Sequence, residues 1–485
     1  MGNLDRVKSV VVLMLENRSF DNILGYLYYP KNVSPNGDAF DGLTGNESNP
    51  KPGGGAPVPV KEESKRTDVP NPDPGEEYQH VNVQLFGVDP APQPPVATNQ
   101  GFVTDYVNVK GKAADIMACY DPASIPNLAE ICRRYAVCDG WYAPVPSQTW
   151  TNRAFAHAAT SWGMVNNAPD NPFKWRMPTV FQKMSGKYPW KVYYDENYIA
   201  LTRLQFSPLL KPGYTKNFVG FEHFLNDANA GQLPNYAFVE PNFFHNPLTS
   251  KVQSDMHPPS DIVPGDAFIA RVFNAIVTSP QWAKNEVLLL ITYDEHGGCY
   301  DHVAPPTNAA RPDNKPGELG FDFKRFGVRV PMVVVSPFVK KGSVFHAAPG
   351  ATPYDHTSIL ATLRKLYPKI TSFSKREAAA PDLDSVLSGP ARKGETPLPV
   401  TAPKAMPAFA AKGVSKQALA AQPLNDLQRT MVTAMKTVMA QQAAPAVAAK
   451  GIAAAKALPP AAAKEVQTVD DAFDFFKEAK QATGL

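Results

Sequence analysis

Carboxylates, an amide and a hydroxyl stand at the ends of apolar runs in several separate places in this chain. The stretch Ile291–Pro306, ITYDEHGGCYDHVAPP, follows the apolar NEVLLL and sets Asp294, Glu295 and His296 side by side, with Asp301 and His302 close behind. Near the start, VVVLMLENRSFDN sets Glu16 and Asn17 behind a similar run, and YAPVPSQTWTNR carries Thr149. Brought together, the carboxylates of Glu16, Asp294 and Glu295 would repel one another unless a cation lay among them, and the Asn17 amide oxygen would add a neutral ligand. A threonine hydroxyl beside such a cation is an activated nucleophile. Each stretch alone also has an ordinary reading, as a loop opening, a turn or a polar strand end. The functional reading requires the stretches to be neighbours.

An open α/β sheet would make them so, because ligands gather at the carboxyl ends of its strands. Residues 7–15, 234–241, 286–295 and 330–338 read as strands, and a shorter strand lies in AVCDGWYAP. Amphipathic spacing predicts helices over 122–135, 152–163, 266–280 and 356–367. Apolar runs alternating with amphipathic helices predict an α/β domain around a mainly parallel buried sheet. We expect a catalytic domain over residues 1–390, with 30–115 a largely irregular insertion rich in Pro and Gly. Residues 391–485 form an Ala/Pro/Lys-rich extension, with helical stripes at 423–442 and 469–480 and a tail or linker between them.

The bulk numbers narrow the classes. At 485 residues with 44% hydrophobic and 19% charged side chains, the chain is globular and large enough for one big domain or two. A net charge of +3 gives no reason to expect a nucleic-acid partner. Cys119, Cys132, Cys138 and Cys299 contain no C-x-x-C pair and read as core thiols. Val10–Leu15 is too short for a signal-peptide core, and no window has transmembrane length. The expected location is therefore cytoplasmic, or exported by a signal-independent route.

The segments VVLMLENRSFDNILG, LAEICRRYAVCDGWYAPVPSQTWTNRAFAHAATS, PNYAFVEPNFF, HPPSDIVPGDAFIARVFNAIVTSPQW, ITYDEHGGCYDHVAPP, GVRVPMVVVSPFVKKG and YDHTSILATLRKLY occur in that order. Together they resemble the bacterial phosphoesterase family, which includes phospholipases C, acid phosphatases and the plant non-specific phospholipases C. That family belongs to the alkaline-phosphatase-like superfamily, so the resemblance implies a doubly wound α/β fold with helices on both faces. It implies Glu16, Asn17, Asp294 and Glu295 as metal ligands and Thr149 as nucleophile and metal neighbour. His257 would contact the phosphoryl group or protonate its leaving oxygen, and Asp261 would orient it or a neighbour. His296, His302 and His356 lie in matching segments as candidate phosphate contacts. Arg153 is expected to hold the nucleophile loop, with contact to phosphate as the alternative. Two departures stand out: Thr151 replaces a proline common in relatives, and Glu76 stands where relatives often carry a histidine. If Glu76 and His80 share a helix face, His80 would take over that phosphate contact.

The implied activity is metal-dependent hydrolysis of phosphoric esters. First choice is a phospholipase C releasing diacylglycerol through a phosphothreonine, with a phospholipid partner and transient contact with a membrane surface. Alternatives are an acid phosphatase or phosphodiesterase on soluble esters, and an inactive binding protein on the same fold. Oxygen-only ligands suit Mg or Ca, whereas the superfamily often uses zinc, which is the favoured cofactor.

Overall fold

The apolar runs assemble into one eight-stranded sheet: β1 Ser9–Leu15, β2 Ala136–Cys138, β3 Trp190–Tyr194, β4 Phe218–Gly220, β5 Tyr236–Val239, β6 Val287–Tyr293, β7 Met332–Val335 and β8 Ser343–Phe345. The structure is a computed structural model that describes residues 2–90, 96–246, 252–399, 421–450 and 465–485. The strand order is β8-β2-β7-β6-β1-β5-β3-β4. All neighbours pair in parallel except β7, which is antiparallel to both β6 and β2. The expected mainly parallel α/β sheet is present, with one reversed strand inside it.

β1 and β6 lie side by side at the centre. Their register runs without a break from Ser9 opposite Val287 to Leu15 opposite Tyr293. All seven residues of each are buried. Alternate residues of a strand face opposite sides of the sheet, so both sides are covered here, and an uninterrupted Val/Leu/Ile run fits that position. The helix Ile262–Val277 packs against both strands.

The insertion is more ordered than its proline and glycine content predicts. It contains helices Tyr78–Phe86 and Phe102–Asn108, and Leu43, Val81, Leu85, Phe102 and Tyr106 form part of an apolar cluster separate from the main core. Near the end of the chain, helices Asp426–Lys450 and Val469–Thr483 pack on each other and on the main core. Leu427, Met431, Met435 and Val438 join the main core with Phe475 and Phe476, and Phe476 meets the rings of Tyr198 and Phe244. Residues 451–464, most of the expected tail or linker, lie outside the described residues. All four cysteines are buried and free. No helix among the described residues is long and apolar enough to cross a membrane.

Candidate active site

Because β1 and β6 end in register, the residue after each strand is delivered to the same point. Those residues are Glu16 and Asp294, both fully buried. Asp294 Oδ1 accepts hydrogen bonds from the Asn17 amide at 3.0 Å and the Glu295 amide at 2.8 Å, tying the two strand ends together. Asn17 has φ 57°, a left-handed conformation that asparagine tolerates better than most side chains. Gly297, φ 60°, lies so close that a Cβ there would sit 2.1 Å from the Asn17 carbonyl oxygen. The glycines after Asp294–Glu295 therefore serve close backbone approach.

Thr149 enters from a third element. It is the first residue of helix Thr149–Ala158 and is 1% exposed. Its Oγ1 donates toward Glu16 Oε2 at 3.2 Å, with Asn17 Oδ1 at 3.5 Å. Asn152 closes the turn before the helix, accepting from the Val145 amide and donating to the carbonyls of Ser147 and Gln148. Arg153, on the same helix, ties the helix start to the end of the first strand. Its Nη2 hydrogen-bonds Glu16 Oε1, and its Nε lies 3.8 Å from Asp294 Oδ2, placing a buried cation between the first two carboxylates. Burial nonetheless pushes the Glu16 carboxyl well above its ordinary pKa, with Arg153 opposing and Asp294 reinforcing that rise.

Glu295 is also fully buried. Its Oε2 accepts from the Gly297 amide at 2.7 Å, while its Oε1 has no hydrogen-bond partner. It connects electrostatically to a group that sequence reasoning did not assemble: Asp73, Glu76 and His257. His257 Nε2, expected to deliver a proton to the leaving oxygen, faces Asp73 Oδ2 at 3.2 Å and Glu76 Oε1 at 3.4 Å. Burial alone would lower the His257 pKa, but Asp73 carries it above the ordinary value. Asp255 adds a backbone tether, its carbonyl accepting from the Glu16 amide and its carboxylate from the His257 amide.

Of the other predicted residues, His296 and His356 lie against Glu295 and Asp294, and the rest sit elsewhere. Asp261 caps helix Ile262–Val277, its Oδ1 accepting from the Val263 amide. Glu76 precedes helix Tyr78–Phe86, so it does not share a helix face with His80. His80 instead pairs with Asp105 at 2.7 Å and is partly exposed, and Glu76 itself is the residue brought to the site. His296 Nε2 contacts Gln84 Oε1 at 2.8 Å, and burial pushes its pKa down to about 3. His356 accepts from Trp141 Nε1 and donates from Nε2 to the Asp294 carbonyl at 2.6 Å, so it supports the strand end from behind. His302 belongs to a separate ion network with Asp21, Asp41, Asp301 and Arg329.

A family profile described as "Phosphoesterase family" matches residues 7–368. The chain belongs to the phosphoesterase family. Non-specific phospholipase C6 of Arabidopsis thaliana is 34% identical to it over 412 residues, covering 83% of this chain and 76% of that protein. Non-specific phospholipase C1 of the same plant is 36% identical over 388 residues, covering 77% and 69%. Phospholipase C A of Mycobacterium tuberculosis is 25% identical over 441 residues, covering 80% and 78%. Among solved structures, an alkaline phosphatase superfamily protein from Vibrio parahaemolyticus aligns at 11% identity and TM-score 0.31, covering 53% of this chain and 63% of that one. That alignment is too loose to add to the topology described above. This phosphoesterase is a phosphoric-ester hydrolase, and its family and the acidic and histidine clusters both suggest a divalent metal.

Proposed function

We propose that this phosphoesterase is a phospholipase C, splitting glycerophospholipids into diacylglycerol and phosphorylated headgroup through a phosphothreonine at Thr149. One observation carries the reading: Thr149 Oγ1 contacts Glu16 and Asn17 at the point where β1 and β6 end. The similarity to phospholipases C along most of the chain supports the choice of lipid substrates.

A divalent cation fits this point. Glu16 and Asp294 are fully buried with one arginine between them, and Asp294 Oδ2 and Glu295 Oε1 have no hydrogen-bond partner. Buried carboxylate oxygens left in this state are costly unless positive charge faces them. Glu16, Asn17, Asp294 and Glu295, with Thr149, would hold the ion, and all their side-chain donors are oxygens. When bound it supplies the charge that favours the threonine alkoxide and the phosphoryl oxygens. Zinc remains the expected ion, although donors that are all oxygen suit Mg or Ca by hardness.

The chain's own groups then act as follows. Thr149 attacks phosphorus, forming the Oγ1–P bond as the bond to the glycerol oxygen breaks. Glu16 Oε2 is placed to accept the hydroxyl proton. Arg153 fixes Glu16 and lies beside Asp294. The N-terminus of helix Thr149–Ala158 favours negative charge at phosphorus. The glycerol oxygen leaves at the corner formed by Asp73, Glu76 and His257 and takes up a proton there, from His257 Nε2 or from water. Water then hydrolyses the phosphothreonine and restores Thr149. The test compares phosphatidylcholine with p-nitrophenyl phosphate and p-nitrophenyl phosphocholine, for the wild type and Thr149→Ala. The proposal expects diester turnover, favouring the lipid, that Thr149→Ala abolishes while the protein stays folded. Near-normal activity in that variant refutes the nucleophile, and preference for the monoester refutes the phospholipase reading.

A further inference from the structure

We propose that Asp73, Glu76 and His257 form a second divalent-cation site beside the one just described; the proposal rests on that metal-assisted reading. One ligand atom from each of Asp73, Glu76 and His257 lies within 4.8 Å of the others. That is the spacing of side chains gathered around a single ion. Glu76 is 3% exposed, and its Oε1, 3.4 Å from His257 Nε2, has no hydrogen-bond partner. Asp73 Oδ1 and Glu295 Oε1 are likewise buried without a hydrogen-bond partner.

Charge makes the same case independently. Among the described residues, none of Asp73, Glu76 and Glu295 has a lysine or arginine within ion-pair distance; their charged or chargeable neighbours are histidines. Arg153 is committed to Glu16 and Asp294. The Asp21–Asp301–His302 cluster has similar geometry but a different solution. There Arg329 reaches Asp21 and Asp301, each at 3.0 Å, so a protein cation already occupies the centre. The Asp73–Glu76–His257 corner has no such cation, and burial with repulsion from Glu295 and Asp73 pushes the Glu76 carboxyl well above its ordinary pKa.

Carboxylate oxygens with one imidazole nitrogen form a donor set that zinc or manganese accepts. A histidine ligand must be neutral at its coordinating nitrogen. In the loaded enzyme His257 Nε2 then carries no transferable proton, which changes the role expected for it from proton donor to ligand.

The test counts ions on the full-length protein, stripped with a chelator, reloaded with zinc alone and freed of loosely held metal by gel filtration. We expect two zinc ions per chain in the wild type, one in Glu76→Gln, two in Glu76→His and one in Asp294→Asn. Glu76→His restores a ligand at the same position, so its count separates ligation from a general defect of the variant. One ion in the wild type, retained by Glu76→Gln and lost in Asp294→Asn, overturns the second site and leaves the first standing. No ion in the wild type overturns both. Two ions in Glu76→Gln also refute the assignment.

Discussion

Replacing Gly297 with alanine should damage catalysis far more than stability. The new Cβ would lie 2.1 Å from the Asn17 carbonyl oxygen, whereas real Cβ atoms rarely come closer than 3.0 Å, so the two backbones must part by about 0.9 Å. Both flanks of that contact carry site residues: Asn17 on one side, and Asp294 and Glu295 on the other. A displacement on the order of 1 Å at a reacting centre costs about 100-fold in rate. That corresponds to roughly 2.7 kcal/mol of lost transition-state stabilisation. Alanine at positive φ also costs about 1 kcal/mol of conformational energy. Gly320 separates the two effects: its φ is 71°, but nothing lies within 4 Å of the position its Cβ would take. Gly320→Ala should lower the melting temperature slightly and leave kcat unchanged, whereas Gly297→Ala should lose most of kcat on p-nitrophenyl phosphocholine. If the two variants show equal kcat, the claim that this glycine sets the spacing between Asn17 and the acidic pair is wrong.

Four other outcomes follow from the same geometry. Arg329→Met leaves Asp301 buried without its cation and Asp21 with His302 alone and should destabilise the fold by about 3–5 kcal/mol, read by denaturant unfolding; a small change would show the network to be dispensable. Burial alone would lower the His302 pKa, but Asp21 and Asp41 lift it to about 10. A raised folded-state pKa gives stability that is fully present below the unfolded value near 6.5 and is lost as pH rises through about 10; melting temperatures should fall across that alkaline window in the wild type and less steeply in His302→Gln. Removing residues 421–485 uncovers the core surface under Met431, Met435 and Phe476, so the truncated chain should melt earlier and aggregate. Chelation should abolish ester hydrolysis, and add-back of one divalent metal should restore it; full activity after verified metal removal would contradict the metal-assisted mechanism.

The strand ends were the most legible part of the site. Glu16 and Asp294 follow unbroken apolar runs, and an apolar run of that length in an α/β chain belongs to a central strand whose carboxyl end faces the ligand side. What the runs did not contain was their order in the sheet; β1 and β6 are neighbours only because long-range pairing makes them so. Asp73 and Glu76 escaped assembly because they lie in a Pro/Gly-rich stretch without periodicity, placed by tertiary contacts. The Gly298 approach to Pro74 and Gly75 is one of these contacts. The one local signal was the acidic residue after Asp-Pro-Gly, and the helix that would have set it on one face with His80 starts two residues too late. Arg153 was legible as important but not as the partner of Glu16, since a helical residue's reach across the sheet end depends on packing that spacing does not encode. Asp261 carries a second local signal: an Asp before an apolar periodic run is the ordinary signature of a helix cap, and its carboxylate does cap helix Ile262–Val277.

The central claim is that phosphorus passes through Thr149 before it reaches water. The stereochemical course at phosphorus tests this most directly, using a chiral phosphorothioate analogue of the lipid diester hydrolysed in oxygen-18 water. Two successive in-line displacements predict net retention of configuration. Net inversion would mean that water attacks the substrate in a single step, and would contradict the phosphothreonine account.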